Sequence, residues 1–278
     1  MKSILHNLVL FLPLMVFPGR CEKDDFVNIP DDAFLAALIE IGVDRNMDGA
    51  IGPSEAEKIT CLDLSGKGIS DLTGIQAFIN LDTLTCCLGQ EVERTNLRVL
   101  DVSENRALTY LDCSFGRLTS LDVSKNRSLK VLRCRGNQIS SLDISQNPAL
   151  EQLSCRENRL TGLDVSNNPA LESLDCIGNH LRSLDVSHNP FLYKVYCGWN
   201  QLTSLDFASN PELGVLDCSN NPCASLDISG IAALNELILR DMPRLKKVCI
   251  SGTTLPPAGF DFDTAGSPNV HFTTECSR

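Results

Sequence analysis

Residues 44–55 carry oxygen-bearing side chains at regular intervals, in the segment DRNMDGAIGPSE. Carboxylate and amide oxygens are the ligands that Ca²⁺ prefers, and side chains at alternate positions of a turning loop converge on one point. Gly49 stands where such a loop has to turn sharply. The segment therefore predicts a Ca²⁺ site. Its oxygen-bearing side chains are those of Asp44, Asn46, Asp48 and Glu55.

The spacing DxNxDG, with Glu at the twelfth position, resembles the loop of the EF-hand family. The resemblance implies that the side chains of Asp44, Asn46 and Asp48 and the backbone carbonyl of Ala50 bind the ion. It also implies that Glu55 binds with both carboxylate oxygens and that Ile51 points inward. The segment departs from the family because only one loop is present and because Pro53 stiffens its exit. Both departures favour a structural site over a signalling sensor, and the alternative is an acidic turn that binds no metal. We expect Ca²⁺ to tie the N-terminal segment to the elements that follow it and to raise stability.

A 21-residue unit makes up most of the remaining chain. Six copies follow one another without a gap from Leu108, and the first is LTYLDCSFGRLTSLDVSKNRS. Neighbouring side chains of a strand point to opposite sides, so the Leu and Cys of LDC and the Leu and Val of LDV are predicted to face inward, with the Asp outward. One unit cannot bury its apolar side alone, so the copies must stack on one another.

The pattern LxxLxCxxNxL resembles the leucine-rich-repeat family over roughly residues 59–250. Its second half, LxxLDVSxN, is a shorter echo of the first half and is similar to the nested bacterial class called IRREKO. The first coil, from Ile59, resembles the internalin type of repeat. The resemblance implies an α/β repeat fold that is mostly β, a solenoid of short parallel strands used for binding. It names no ligand.

The ends of the repeat region need caps, because an open solenoid exposes its core and its strand edges. Residues 21–58 are predicted to form a tether and a helical N-terminal cap that contains the calcium loop, and residues 251–278 an irregular C-terminal cap. Asp31 and Asp32 are expected to begin the cap helix. Its predicted apolar side carries Phe34, Leu35, Leu38 and Ile39. Six extra residues within CCLGQEVERTN predict a bulging loop in the second repeat.

Residues 1–20 resemble a signal peptide, with a basic start and an apolar run from Leu8 to Phe17 that is too short to span a bilayer. Cys21 and the acidic residues after it resemble the lipidated end of bacterial lipoproteins, in particular those that the Bacteroides group exports to its surface. Arg20 departs from that pattern, which has a small residue before the Cys. The chain is therefore predicted to be exported, either as an outer-membrane or cell-surface lipoprotein lipidated on Cys21, or as a secreted or periplasmic protein.

Several residue types recur in columns along the repeats. Asn recurs at both corners of the coil and is predicted to form hydrogen-bonded ladders there. Cys recurs in place of an inward Leu and is predicted to be a buried, inert thiol, whereas Cys249 and Cys276 are candidates for a disulfide clamp. The Asp column should repel itself at a spacing of about 4.8 Å, so we expect nearby N–H or hydroxyl groups to hold it, with a row of bound cations as the alternative. The Asp column comprises Asp101, Asp122, Asp143, Asp164, Asp185, Asp206 and Asp227, and the Cys column Cys113, Cys134, Cys155, Cys176, Cys197 and Cys218.

Composition excludes two classes of function. The net charge is −11, and the sequence contains no basic cluster of the kind that binds the phosphates of a nucleic acid. The chain has four His residues and none of the sequence motifs HExxH, GxSxG or the P-loop. We therefore predict that the protein is not an enzyme and does not bind nucleic acid.

A binding module is the favoured function, with a protein or polysaccharide as ligand and Ca²⁺ as cofactor. Aromatic and arginine side chains at outward repeat positions are typical of binding surfaces. The candidate residues are Tyr193, Tyr196, Trp199, Arg133, Arg135 and Arg156. The alternative for the aromatic rings is that they only cover the edges of coils. We predict an adhesin-like monomer that meets a membrane only through a lipid anchor, and the alternative is a scaffolding subunit of an outer-membrane complex.

Overall fold

The computed structural model describes residues 26–87, 96–250 and 261–275. Within them the chain forms a solenoid of short parallel strands with few helices, which confirms the predicted leucine-rich-repeat fold. The expected signal peptide, Cys21 and Cys276 lie outside the described residues. The loop expected from the six extra residues of the second unit falls mostly within residues 88–95, which also lie outside them.

The described residues contain two α-helices, one 3₁₀ turn and thirteen strands of three residues each. The helices are α1 (Asp32–Glu40) and α2 (Pro53–Ala56), and the 3₁₀ turn is Ile75–Ala77. The first strands are β1 (Cys61–Asp63), β2 (Thr83–Thr85), β3 (Tyr110–Asp112), β4 (Val131–Arg133), β5 (Gln152–Ser154), β6 (Ser173–Asp175) and β7 (Lys194–Tyr196). The remaining strands are β8 (Val215–Asp217), β9 (Ser225–Asp227), β10 (Glu236–Ile238), β11 (Lys247–Cys249), β12 (Asp261–Asp263) and β13 (His271–Thr273).

Ten of these strands form one parallel sheet, in the order β1 to β8, then β10 and β12. Equivalent residues of consecutive coils lie opposite each other, as Leu111 of β3 does with Leu132 of β4. On the other side of the solenoid the LDV half of the unit forms a second parallel sheet only at its C-terminal end, from β9, β11 and β13. The nested half of the repeat is therefore an extended segment in most coils and a strand in the last ones.

The core is a continuous stack of aliphatic side chains and thiols. The Leu or Val at the centre of each strand from β1 to β11 is buried, and so is the Cys that follows in each of the six repeats. Burial raises the pKa of these thiols, to about 12 for Cys134, because a thiolate loses its hydration there. Burial of the Cys column was predicted. Cys249 is disulfide-bonded, and Cys276, its expected partner, lies outside the described residues.

Asn side chains hold both corners of the coil. At the corner after the sheet, the Asn158 amide donates to the carbonyls of Cys134 (2.9 Å) and Cys155 (3.0 Å), and its oxygen accepts from the N–H of Ile139 (3.0 Å). The same three bonds recur at Asn137, Asn179, Asn200 and Asn221. The predicted ladders thus exist, with each Asn bonded to the backbone of two coils rather than to the next Asn side chain.

At the opposite corner the Asn amide joins two coils in a second way. Asn168 is fully buried, and its amide donates to the carbonyls of Ile144 (3.0 Å) and Asn147 (2.9 Å) in the preceding coil. Equivalent pairs of bonds are made by Asn105, Asn126, Asn147, Asn189 and Asn210. Each coil is therefore fixed to the one before it at both corners.

The N-terminal cap closes the first coil with one face of α1. Phe34, Ala37 and Leu38 are buried there, and the Phe34 ring lies 6.5 Å from that of Phe78 between centroids. The prediction was wrong for Ile39, which is 39% exposed, because at about 3.6 residues per turn it lies on a different side of α1 from Phe34 and Ala37.

Asp31 ties this cap to the first repeat. One carboxylate oxygen accepts the N–H of Phe34 (2.9 Å) and so caps α1, as expected for an acidic residue at a helix start. The other oxygen accepts from the N–H and the hydroxyl of Ser70 and from the N–H of Asp71. Burial tends to raise the pKa of Asp31, but these hydrogen bonds outweigh it and leave the pKa below its ordinary value.

Residues 261–275 belong to the segment predicted to form an irregular C-terminal cap, and they contain the strands β12 and β13. β12 pairs with β10 and β13 with β11, so both sheets continue into this segment. The corner Asn is absent here, and Ser267 replaces it, because its hydroxyl accepts the N–H of Met242 (2.8 Å) and donates to the carbonyl of Leu239 (2.5 Å). The repeat pattern fades in the sequence before the coil ends in the structure.

We predict that Asn168→Ala lowers the free energy of unfolding by about 2–4 kcal/mol, because two buried carbonyls lose their donors. Chemical denaturation followed by circular dichroism measures this. Asn167→Ala is the matched control, because the Asn167 side chain is exposed and makes only a long contact (3.4 Å) with the Ser166 hydroxyl. Equal losses in the two variants would show that the corner bonds do not hold the coils together.

We predict that Asp31→Asn is less stable than the parent at neutral pH, by about 1–3 kcal/mol, because an amide nitrogen cannot accept the N–H groups of the first coil. The folded-state pKa of Asp31 is depressed, so its contribution is present above the unfolded pKa of about 4 and disappears as pH falls through the lower folded value. Denaturation midpoints of parent and variant should therefore converge below about pH 4. Asp32→Asn, at an exposed site, is the control, and a gap that persists in acid would contradict the assignment.

Candidate functional site

The predicted calcium loop folds around its own backbone N–H groups. Asp44 accepts from the N–H of Asp48 (3.2 Å) and of Gly49 (2.9 Å), and Asp48 accepts from that of Ala50 (2.9 Å). Gly49 has a φ of 82°, in the left-handed region that glycine adopts without strain. The Asp44 and Asp48 carboxylates therefore face the backbone of the loop, and Gly49 makes its sharp turn, as the sequence predicted.

Glu55 closes the loop from the start of α2. One of its carboxylate oxygens accepts the N–H of Arg45 (2.7 Å), and the other accepts that of Gly52 (2.9 Å). The bond from Gly52 is the main reason that the pKa of Glu55 lies below its ordinary value. Only 6% of Glu55 is exposed, so this carboxylate is nearly buried beside the loop.

The donor set of this loop suits a hard cation. Asp44, Asp48 and Glu55 keep further lone pairs, since a carboxylate oxygen accepts more than one bond. Asn46 bonds to Asp48 twice: its amide oxygen accepts the Asp48 N–H (3.0 Å), and its amide nitrogen donates to the Asp48 carboxylate (2.7 Å). Across the residues that the structure describes, no three His, Cys, Asp or Glu side chains converge closely enough to hold a metal by themselves. The predicted set also needs the oxygens of Asn46 and Ala50.

The three candidate arginines lie together at the ten-stranded sheet. Arg133 ends β4, and its guanidinium lies over the Tyr110 ring (5.5 Å to the centroid) and donates to the Tyr110 hydroxyl (3.1 Å). Arg135 stacks on Phe115 in the same way, at 5.0 Å. Arg133 and Arg135 thus each have an aromatic partner. Tyr110 was not among the residues predicted from the sequence.

Glu157 joins the other two arginines. Its carboxylate lies 3.3 Å from a guanidinium nitrogen of Arg135 and 3.2 Å from Nε of Arg156. Glu157 was also missed in the sequence, although its position in the period was a usable signal.

The three candidate aromatics of one coil do not share one surface. Tyr196 ends β7, and its outward position is flanked in register by Asp175 of β6 and Asp217 of β8. Trp199 follows three residues later, at the corner after the sheet, and is 63% exposed. Tyr193 precedes the strand and packs at the other edge, among Pro190, Phe191 and Pro211.

The corner position of Trp199 has a left-handed backbone in every described repeat. Its φ is 54°, and a bulky side chain with positive φ is a strained arrangement. Gly136 and Gly178 occupy the same position in other coils, with φ near 69° and 68°. The other described members of the column are Gly66, Phe115, Glu157, Asn220, Asp241 and Gly266. An exposed tryptophan is thus placed where the fold favours glycine.

The Asp column on the opposite side is explained by local turns. Each of its carboxylates accepts the backbone N–H two residues further on, at 2.8–3.0 Å. These N–H groups belong to the same coil, and Asp101 also accepts from the Gln76 amide of the preceding coil (3.2 Å). Serine N–H and hydroxyl groups hold the pKa of Asp101, Asp122, Asp143, Asp164 and Asp185 below the ordinary value. These carboxylates have a structural partner without any bound cation.

Comparison with known proteins gives the same fold. The family model described as Leucine Rich repeat matches residues 179–191, and no curated protein matches the sequence significantly. The chain is similar to the functional domain of InlJ from Listeria monocytogenes, described as including a cysteine ladder, with 28% identity and a TM-score of 0.58. The match covers 87% of this chain and 61% of that one, so the chain spans less than two thirds of that relative.

Two further solved structures share the solenoid. A leucine-rich-repeat protein from Leptospira interrogans is 20% identical with a TM-score of 0.53, and the match covers 72% of this chain and 64% of that one. Internalin C2 from Listeria monocytogenes is also 20% identical with a TM-score of 0.53, covering 88% and 94%. At this level of identity the two support the fold alone. In the described part of the chain, no helix has the length and apolar character needed to cross a bilayer.

Proposed function

We propose that the protein is an exported, non-enzymatic binding module that takes a protein ligand on the face of its ten-stranded sheet. Leucine-rich-repeat scaffolds are typical of protein-binding modules, because a rigid stack presents many variable outward positions side by side. The Arg133, Arg135, Tyr196 and Trp199 positions supply arginines and aromatic rings on this scaffold. These are the residue types that dominate the binding energy of protein interfaces.

The exposure of Trp199 at a left-handed corner is the observation that carries this proposal. A strained bulky residue costs of order 1–3 kcal/mol and persists where the surroundings fix it, commonly at functional sites. At the equivalent position, contacts of the Phe115 ring with Gly136 and Arg135 offset part of that strain energy. Trp199 is 63% exposed instead. Its folded-state contacts do not account for a tryptophan there, whereas a ligand would.

The arginine cluster supports the same face. Arg133 and Arg135 are held by Tyr110, Phe115 and Glu157, so their guanidinium groups are ordered before any ligand arrives. Ordered side chains lose less conformational entropy on binding. The same cluster offers less to a neutral polysaccharide, because its charges would be desolvated without a counter-charge.

We further propose that Ca²⁺ binds in the loop from Asp44 to Glu55 and stabilises the N-terminal cap. The backbone of this loop is attached to the segment before α1, since the N–H of Val27 donates to the carbonyl of Ile51 (2.8 Å). Support comes from the loop itself, in which the carboxylates of Asp44, Asp48 and Glu55 lie within twelve residues and each accepts backbone N–H groups of the same loop. The lipid anchor on Cys21 and the outer-membrane or surface location stay predictions from the sequence.

We predict that purified protein captures a ligand from an array of extracellular proteins and not from a glycan array. The double variant Tyr196→Ala, Trp199→Gly should weaken this capture at least tenfold, which corresponds to a loss of about 1.4 kcal/mol of binding free energy. The melting temperature should not fall, because glycine relieves the strained backbone. Phe191→Ala is the matched control, because Phe191 is 61% exposed but lies outside the sheet face.

Capture that survives in the double variant would place the ligand elsewhere. Hits confined to glycans would replace the protein ligand by a polysaccharide. An array without hits, combined with co-purification of a defined set of outer-membrane proteins, would favour the scaffolding alternative.

We predict that millimolar Ca²⁺ raises the melting temperature by roughly 2–6 °C over the same protein in chelator, the effect of about 1–2 kcal/mol of linked binding. Glu55→Gln should remove this difference, because an amide offers one neutral oxygen in place of a bidentate carboxylate. Glu57→Gln makes the same charge change at an exposed neighbouring site and should keep it. A parent protein with the same melting curve in calcium and in chelator would rule the site out.

A further inference from the structure

The aromatic rings near the sheet face differ in whether the protein covers them with a cation. Arg133 lies over Tyr110, Arg135 over Phe115 and Lys194 over Tyr193, with 5.0–5.7 Å between the cation and the ring centroid. Within the described residues, no such partner covers Tyr196 or Trp199. A cation held over a ring is attracted by the negative face of the π-system. The uncovered rings are the two that the proposed binding face exposes.

The repeat itself shows which partner Trp199 lacks. Phe115 and Trp199 occupy the same position of the 21-residue unit, and Arg135 comes from the coil after Phe115, twenty residues on. Twenty residues after Trp199 stands Ser219, which is buried and accepts the N–H of Arg240 (3.1 Å). The guanidinium of Arg240 is itself bonded to Asp263 (2.6 Å). The guanidinium of Arg135 covers the Phe115 ring, whereas no cation of the described residues covers the equivalent Trp199 ring.

Carboxylates border this position. Asp175 and Asp217 lie on either side of Tyr196 in the sheet, roughly 4.8 Å away at each strand. Asp217 also lies against Gly198, between the two rings along the chain, where an added methyl group would come within 3.4 Å of its oxygen. Burial, followed by the charges of Glu236, Asp175 and Asp217, raises the pKa of the Tyr196 hydroxyl. Asp175 also feels the charges of Arg156 and Arg135, and Asp217 acts on Arg240, but these guanidinium groups lie beside the carboxylates and not over the Tyr196 or Trp199 ring in the described residues. Phe115 differs because Arg135 covers its ring.

We propose that Tyr196 and Trp199 bind an arginine or lysine side chain of the protein partner, in the position that Arg135 holds over Phe115. The proposal rests on the binding face argued above and adds the chemistry of the group bound there. Asp217, which lies against Gly198, supplies the counter-charge, and the indole supplies the stacking surface. Lys194 does not fill the position, because its ammonium lies over the Tyr193 ring.

The protein contains a single tryptophan, so its intrinsic indole fluorescence reports on this position alone. The probe is a capped hexapeptide of alternating glycine and arginine, compared with peptides that carry citrulline or glutamate in place of arginine. We expect saturable quenching by the arginine peptide, and at least roughly tenfold weaker quenching by the citrulline peptide, which has the same shape without charge. The glutamate peptide should have no effect. Equal quenching by the arginine and citrulline peptides would overturn the proposal.

Ser219→Arg tests the proposal from the other side. The new guanidinium should cover Trp199 as Arg135 covers Phe115, change the indole emission and reduce the affinity for the arginine peptide at least tenfold. Ser219→Gln, of similar length and without charge, should leave binding within about twofold of the parent. Asp217→Asn is a second route, because it leaves Ser219 in place and should weaken arginine binding severalfold. Undiminished binding to both Ser219→Arg and Asp217→Asn, each shown to be folded by circular dichroism, would contradict the proposal.

These results separate the two levels of inference. An arginine peptide without effect on the indole would refute the cation position, while an array ligand lost in the Trp199 variant would still uphold the binding face. An array ligand captured equally by that variant would refute the binding face itself.

Discussion

The need to satisfy buried backbone carbonyls at the corners of each coil is the constraint on which this structure depends. A coil of 21 residues turns sharply at both ends of its sheet segment, and the neighbouring coils cover those turns. A buried carbonyl without a donor costs about 1–3 kcal/mol, so every corner needs a donor that does not come from water. The Asn amide provides two N–H groups on a short side chain, and Asn158 uses both to join Cys134 to Cys155 across one coil boundary. The leucines fill the core, but the asparagines set the register in which the coils stack.

A fixed register separates the outward positions into those that the coil needs and those that it leaves free. The Asp column is needed, because each carboxylate completes a turn within its own coil, as Asp164 does with the N–H of Ser166. Regular repetition of a charged residue is therefore a sign of structure here. The outward end of the sheet strands is less strict: Asp175 and Asp217 accept the N–H two residues further on, whereas Arg133 and Tyr196 stand at the same position in coils that pair in the same register. Variation in an otherwise strict repeat is the better indicator of a binding surface.

The sequence predicted the solenoid, the inward columns and both Asn corners, because each follows from a period of 21 residues and from the alternation of side chains along a strand. The sequence did not predict at which edge of the sheet a variable side chain lies or which residue of the next coil it contacts. Tyr193 and Tyr196 are three residues apart, yet they lie at different edges, because the first precedes the strand and the second ends it. The pairing of Arg135 with Phe115 joins residues of consecutive coils, and a sequence alone does not show whether a long side chain crosses that gap. The last coil was not predicted, because the Ser267 hydroxyl makes the corner hydrogen bonds there and the repeat pattern in the sequence relies on Asn.

A stacked solenoid also explains how a strained residue is kept at the proposed binding face. The backbone N–H of Trp199 donates to the carbonyl of Ser219 (2.8 Å), and the Asn200 amide beside it bonds to the carbonyl of Gly198 (3.1 Å). These bonds belong to the corner that every coil repeats, so the left-handed conformation is imposed by the neighbours and does not depend on the residue type. Glycine at Gly136 and Gly178 accepts that conformation without strain, and the scaffold is stable enough to hold a tryptophan in it once. The cost is local, because each coil contacts only its neighbours. The repeat architecture therefore lets one coil carry a binding residue that its own stability does not favour.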